Sequence, residues 1–567
     1  MNFKLHNIVA ATLAGSLLMG FGVNAMADST DDIVNALIAK GVLTEEEGAL
    51  LMKGRAGEKE AAAEKKLTAV SGKMKDGAIG LESGDGKNSI QLTGRIHFDY
   101  RNSDINDFSK VPEGKNTAFG NDTDTSTAAD QFELRRARIG VKGKLYEHFD
   151  YELVTNVIGG SANLVDVAWI NAGMFKPVQL RVGQFKQPFN LEEYGTSSNN
   201  LDFMERSYIN QITPAKKIGA MIHGLPTPGV TYAASVYQQN NFGETDSQTD
   251  GKGFAGRATV NFAELMGMKE SIFHLGLAGF DSEYGVVPSS SGNTSGAASQ
   301  DTRGTLFSFR SGGRGLNNAY RAQIAGDKLP TASYGTNSPT SAEVDNKAYG
   351  LEAIAANGPF KFQAEYMKSQ FDAQHKNTGN RVEADVKTYY AEALWMLTGE
   401  NYADAYKNGG WGSIKPKSIF DVTTGSGKGA WELGLRFDQF DVDNTSIVGS
   451  NVSRFQGATS NQAAGNLNTN NTVGNNATNG GAKTYTAGIK WILNPNMRVL
   501  LNYSHTKFDE SFRPIDVQNV QAVGVNAAPA LGNAGAVAAV TPVGSTNANV
   551  KSVDSEDLIM LRAQLSF

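Results

Sequence analysis

At 567 residues the chain is several times the usual length of one globular domain, yet no break in composition divides it. Its formal net charge is −6 and cysteine is absent, which excludes a thiol nucleophile, a cysteine-based zinc site and a disulfide framework. Beyond the signal-like N-terminus no apolar run is long enough to cross a bilayer as a helix, so a helical membrane protein is excluded too.

The N-terminus opens on Lys4, and Ile8 to Val23 is then nearly all apolar or small. Ala25-Met26-Ala27 places small residues where a signal peptidase needs them, so residues 1–27 are expected to be a cleaved export signal. A buried N-terminal helix is the competing reading. Next, Ile33, Leu37 and Ile38 recur at helical spacing up to Gly41. Thr44-Glu45-Glu46-Glu47 reads as a capping box, Leu50 and Leu51 supply an apolar stripe, and Glu58 to Lys66 carries Glu/Lys pairs at helical spacing. Residues 28–86 therefore read as a helical or coiled-coil preface that could self-associate, with a solvated spacer as the plain alternative.

From Ser89 the period changes to two, and residues 87–567 read as one all-β unit. Ile90, Leu92, Gly94, Ile96, Phe98 and Tyr100 share one face; Gln91, Thr93, Arg95, His97, Asp99 and Arg101 share the other. No charge falls on the apolar face, where Arg or Lys against lipid would cost roughly 2–4 kcal/mol at the midplane. The alternation recurs at Phe360–Tyr366, Trp431–Asp438 and Thr484–Trp491. It ends at Leu561, Ala563, Leu565 and the terminal aromatic Phe567. Strands of this length can span a bilayer only if they close, because every amide inside lipid must be paired.

Tight turns at Glu147-His148, Asn357-Gly358-Pro359 and Asn494-Pro495-Asn496 alternate with long polar loops at 102–130, 187–215, 281–345, 442–482 and 509–555. That rhythm predicts a 16-stranded antiparallel transmembrane β-barrel with short periplasmic turns, provided Leu306 to Phe309 belongs to a loop. The Asn/Thr/Gly/Ala-rich stretches 442–482 and 519–550 mark mobile or surface-decorated loops and no particular ligand.

No catalytic constellation is present, so no enzyme is expected. Gly425-Ser426-Gly427-Lys428-Gly429 lacks the upstream glycine and following Ser/Thr of a phosphate loop and reads as a turn. Lumen charge is the better lead. Along 132–145, Ala137, Ile139, Val141, Gly143 and Leu145 form the lipid face, so Arg136, Arg138, Lys142 and Lys144 point inward. Arg135 sits where the alternation slips, as at a bulge that aims two arginines at the pore. Arg95 and Arg181 face the lumen by parity. Such groups attract anions into a narrow passage, unless Asp99, Asp166 and Glu152 neutralise them. The segment from Pro188 to Arg206 is too long for a simple turn; it either folds back into the barrel or covers it as a lid.

At this point the residues resemble a family. Phe132-x-x-Arg135-Arg136-Ala137-Arg138-Ile139-Gly140 is similar to the F-x-R-R-A-R-L-G stretch of the phosphate-selective porin O and P family. So are Leu180 to Phe189, Phe203 to Arg206, Leu397 to Glu400, Gly429 to Leu433 and Trp491 to Asn496, in the same order. The resemblance implies a trimeric, sixteen-stranded bacterial outer-membrane porin for small hydrophilic solutes. It implies small anions and outer-membrane lipid as partners, with no cofactor and no nucleic acid. It also implies that Arg95, Arg135 and Arg136 hold the anion, with Asp166 a nearby carboxylate and Lys186 at the root of the infolded loop. Where the family has a close row of arginines in the fifth outer loop, this chain has only Arg303, Arg310 and Arg314, more widely spaced. A general porin of low selectivity, or a structural or adhesive surface protein, stays open beside the anion-preferring pore.

Overall fold

The structure, a computed structural model, describes residues 38–40, 44–47, 49, 53, 69–75, 78–105, 131–158, 164–239, 251–286, 303–316, 319–325, 342–375, 379–448, 454–456, 479–512 and 553–567. The export signal expected at 1–27 lies outside them. In the preface, the Thr44 hydroxyl and the Glu47 carboxylate make the reciprocal capping bonds, with Glu47 N–H donating to Thr44 Oγ1 at 3.2 Å and Thr44 N–H to Glu47 Oε2 at 3.0 Å. The helical reading of 28–86 does not extend to its end: Val70–Lys75 and Ala78–Ser83 are strands.

Sixteen antiparallel strands close into a barrel. The first five are β1 Ser89–Ile105, β2 Gln131–Leu145, β3 Phe149–Asn156, β4 Val165–Phe175 and β5 Val178–Lys186. Then come β6 Lys216–Thr227, β7 Val230–Gln238, β8 Lys252–Asn261, β9 Ser271–Val286 and β10 Ala342–Asn357. The last are β11 Phe360–Gln374, β12 Arg381–Met396, β13 Ala430–Val448, β14 Gly480–Ile492, β15 Met497–Phe512 and β16 Val553–Ser566. Each pairs with its chain neighbour. Closure comes from β16 on β1, in register from Glu556 opposite Ile105 to Ser566 opposite Arg95. Phe567 adds two backbone hydrogen bonds with Gly94, at 2.9 and 3.1 Å. Past that point Ala78–Ser83 takes the remaining edge of β1, with Gly80 opposite Gln91.

The alternation sorts the side chains as expected. On β13, Leu435 is 65 % exposed while its neighbour Arg436 is 4 % exposed. On β1, Ile96 and Phe98 face outward while His97 and Asp99 are buried. A rim of aromatics marks the short-turn end: Trp431 and Trp491 stack at 5.1 Å, and both indole N–H groups donate to the Lys428 carbonyl at 3.0 Å.

Two connections depart from the expected rhythm. At the short-turn end, 397–429 is long and ordered, because Trp411 donates to Gln363 Oε1 at 2.7 Å and Tyr402 to Glu432 at 2.8 Å inside the barrel wall. It carries the small hairpin Tyr406–Lys407 and Gly410–Trp411. At the other end, Leu306 to Phe309 is indeed no part of the barrel, yet it is a strand. Arg303–Phe309 pairs with Tyr320–Ala325, which pairs in turn with Arg454–Gln456. This small sheet buries Leu306, Phe307, Phe309 and Ile324 against Phe371, Val386, Phe440 and Val442 of the wall. At that end β10 to β15 are therefore apolar on their inner face as well. Part of the lumen is filled by a hydrophobic core instead of water.

Phe440 joins these layers, stacked on Phe309 at 4.1 Å and edge-on to Tyr208 at 4.9 Å. Replacing it, Phe440→Ala, should cost about 3–5 kcal/mol of local packing. Trypsin should then cut the detergent-solubilised barrel at Arg310 or Arg314 faster than in the parent chain; an unchanged digest would show the sheet is held by other contacts.

Candidate functional site

The 187–215 connection settles the choice between lid and infolded loop: it crosses the inside of the barrel. Its backbone is gathered by wall side chains. Glu365 on β11 accepts the Leu191 and Glu192 amides at 2.7 and 3.1 Å, Asn502 on β15 the Met204 amide at 3.0 Å, and Asp438 on β13 the Tyr208 amide at 3.0 Å. Charge holds its middle, with Lys361 on Asp202 at 2.6 Å. Asn190 takes a left-handed φ of 52°, and its Oδ1 accepts the Glu193 amide at 2.9 Å, which starts the short helical turn Asn190–Gly195. A run of buried amides that would each cost about 1–3 kcal/mol unpaired is thereby satisfied inside the lumen.

Where this loop meets β1, β2 and β16, the cations gather. The ladder slips between His97 and Phe98, so that His97 opposes Arg136, Phe98 opposes Leu134, and Arg135 is the extra residue. The bulge inferred from the sequence therefore exists, and it turns Arg135 inward onto Glu205, at 2.9 and 3.2 Å from its two oxygens. Arg101 and Arg562 reach the same carboxylate at 3.0 and 2.9 Å, and Arg562 also grips Asp99 through two 2.7 Å bonds. A second bulge lies between β3 and β4, where Val154 opposes Val167 and Thr155 opposes Val165. Its extra residue, Asp166, receives Arg138 at 2.8 Å and also pairs with Lys216.

These contacts divide the candidate residues. Arg135 and Arg138 are neutralised, as the competing reading of the sequence allowed. Arg95 forms no ion pair: its only hydrogen-bond partner among the described residues is the Ser198 hydroxyl, at 2.5 Å. Arg136 is 7 % exposed and reaches only His97 Nδ1, at 3.5 Å. Because a guanidinium can only donate, His97 Nδ1 accepts there, which leaves Nε2 to carry the proton towards Asn199 Oδ1 at 3.3 Å. Lys186 donates to the carbonyls of Glu193 and Thr196, at 2.5 and 2.8 Å. Arg181 is apart from this group, stacked on Trp169, and Lys142 is exposed nearer the short-turn end, opposite Glu152. The structure thus brings together Arg95, Arg135, Arg136, Arg138, Lys186 and Asp166, and leaves Arg181 and Lys142 outside.

Arg101, Arg562 and Lys216 belong to the cluster as well. Arg101 and Arg562 sit on the polar faces of β1 and β16, so alternation alone places them inward, but no motif marks them. Lys216 follows the loop directly, and nothing local distinguishes it. The loop supplies the counter-charges. Burial would raise the Glu193 carboxyl, but Arg206 and Lys186 outweigh it and hold Glu193 down at about 2, with Arg206 at 3.0 Å. Glu205, though its burial also opposes ionisation, is held well below the ordinary range by Arg135, Arg562 and Arg136.

A carboxyl whose pKa is lower in the docked loop than in the free chain stabilises docking above the ordinary glutamate value of 4.5, and that contribution fades as pH falls towards about 2. The loop should therefore resist pepsin at pH 4 and become cleavable as the pH approaches 2. Equal cleavage at both values would mean these ion pairs do not hold it.

The family model described as "Phosphate-selective porin O and P" matches residues 90–527. The curated protein Porin O of Pseudomonas aeruginosa is 26 % identical over 450 residues, covering 76 % of this chain and 86 % of that protein. Among solved structures, OmpT of Vibrio cholerae has 9 % identity and a TM-score of 0.43, covering 85 % of this chain and 98 % of that one. An anion-selective porin from Comamonas acidovorans has 10 % identity and a TM-score of 0.41, covering 85 % of this chain and all of that one. With a family match across most of the barrel, the chain is an outer-membrane porin and belongs to the phosphate-selective porin O and P family.

Proposed function

We propose that the barrel is a water-filled pore for passive diffusion of small hydrophilic solutes, preferring small anions, phosphate among them. The observation that carries this reading is that, among the described residues, no carboxylate is hydrogen-bonded or ion-paired to Arg95 or Arg136, beside a loop that crosses the lumen. In a narrow passage with low-dielectric walls, an uncompensated guanidinium concentrates anions and repels cations. Lys186, whose hydrogen bonds go to the Glu193 and Thr196 carbonyls, stands at the root of the loop, and Arg181 and Lys142 continue the positive lining towards the periplasm. Arg135, Arg138 and Asp166 act in this reading by fixing the loop and the width of the passage.

The description of the family and the name of the relative point the same way. The neutralised arginines, and Arg314 paired to Glu133 at 3.1 Å, favour a moderate preference over a dedicated phosphate filter. The same reading has residues 1–27 removed on export and three copies of the 87–567 barrel assembled in outer-membrane lipid. Solute passage of this kind makes and breaks no covalent bond, so no catalytic residue is assigned.

The mature protein in a planar bilayer under a potassium chloride gradient should give open channels with an anion-selective reversal potential. No channels, or cation selectivity, would refute the proposal. Arg95→Ala and Arg136→Ala should each lower the anion-to-cation permeability ratio more than Arg138→Ala, whose charge Asp166 already offsets. The differences should shrink at high salt as the Debye length falls. Glu205→Gln should shift the reversal potential the other way, because it releases Arg135 and Arg562 from their shared carboxylate; no shift would show that this cluster lies off the solute path.

A further inference from the structure

Between the cationic cluster and the short-turn rim, one arginine is held in an unusual manner. The Arg181 guanidinium lies over the face of Trp169, 4.1 Å from the ring centroid. It has no ion pair and no hydrogen bond among the described residues, and its Nε is enclosed without an acceptor. Arg95, Arg135, Arg136, Arg138 and Arg562 are each oriented by hydrogen bonds. This one is oriented by a ring.

The ring itself is fixed. Trp169 packs with Tyr194 of the infolded loop against Phe185, Met221 and Ala233. Behind it, Trp169 is in register with Gly183, whose φ is 122°. A Cβ on Gly183 would lie 2.2 Å from the Ala168 carbonyl oxygen, so only glycine lets β5 approach β4 at this height. The row next to it runs through Glu152 and Lys142 to Gln91, cross-strand neighbours on β3, β2 and β1. Glu152 lies within electrostatic reach of both Arg95 and Arg181, and Asp150 of Arg181. Neither forms an ion pair with Arg181.

Stacking a planar guanidinium on an aromatic face blocks that face but leaves the N–H edge open, the edge that binds carboxylate or phosphate oxygens in pairs. We infer that Arg181, positioned by Trp169, is a second oxyanion station, taking an anion that has passed Arg95 and Arg136 and releasing it towards Lys142. Trp169 is a positioning residue: it adds no charge and sets which way the guanidinium points. This inference rests on the anion-diffusion reading and names a further site within it.

The test uses the whole mature protein in planar bilayers, with inorganic phosphate added to chloride-carrying channels. The parent chain should be anion-selective, and phosphate should reduce its chloride current. Arg181→Ala and Trp169→Ala should each weaken the phosphate effect about two- to fivefold, the weight of an exposed cation–π contact. Trp169→Phe, which keeps an aromatic face, should restore most of it and also shows that the site tolerates substitution. The neutral change at Trp169 is the decisive arm, since a purely electrostatic role for Arg181 would leave it silent. A phosphate effect unchanged in Trp169→Ala overturns the station while leaving an anion-selective pore intact. A parent channel that is not anion-selective overturns the diffusion reading and this inference together.

Discussion

Inside a bilayer no water is available to an unpaired peptide group, and that constraint organises the chain. It requires the last strand to find the first, which β16 does on β1 with Phe567 completing the ladder at Gly94. Once the sheet is closed, side chains have only two destinations, lipid or lumen, and the alternation along each strand assigns them. The positive wall follows from the same rule. Arg95, Arg101, Arg136, Arg138 and Arg562 face inward because the residues between them are apolar.

The second layer answers a different problem. A barrel of sixteen strands encloses more space than side chains alone can fill, and here three connections enter it. The 187–215 loop crosses the lumen on backbone amides given to Glu365, Asn502 and Asp438. The 303–325 sheet brings an apolar core, and the 397–429 segment enters from the opposite rim. A parallel bridge between Thr196 and Trp411 joins two of them. The lining of the lumen is therefore chosen by loop packing as much as by the wall.

Charge compensation decides what that lining can do. Glu205 and Asp166 absorb the arginines that position loop and strand, while Arg95 and Arg136 make their hydrogen bonds to a hydroxyl and an imidazole. The two bulges sharpen this division, since each turns one extra charged residue, Arg135 or Asp166, into a position that regular alternation would deny it. Arg181 shows a third solution, orientation by an aromatic face.

Strand number, closure and the inward arginines of β1 and β2 were legible in the sequence, because a period of two against lipid is a local rule that each strand states for itself. The bulge at Arg135 was legible for the same reason, as a slip in that period. Which cations remain uncompensated was not. Arg562 and Glu205 are 357 residues apart, and their 2.9 Å contact exists only after the loop has folded back. The order within 397–429 and the strand at Arg303–Phe309 were also decided by tertiary contact, since their apolar residues face partners on distant strands and show no period of their own. The sequence by itself determined the barrel and its positive wall; only the folded lumen decided which of those charges is taken up in an ion pair, because neutralisation depends on distances across the barrel and alternation describes only one strand at a time.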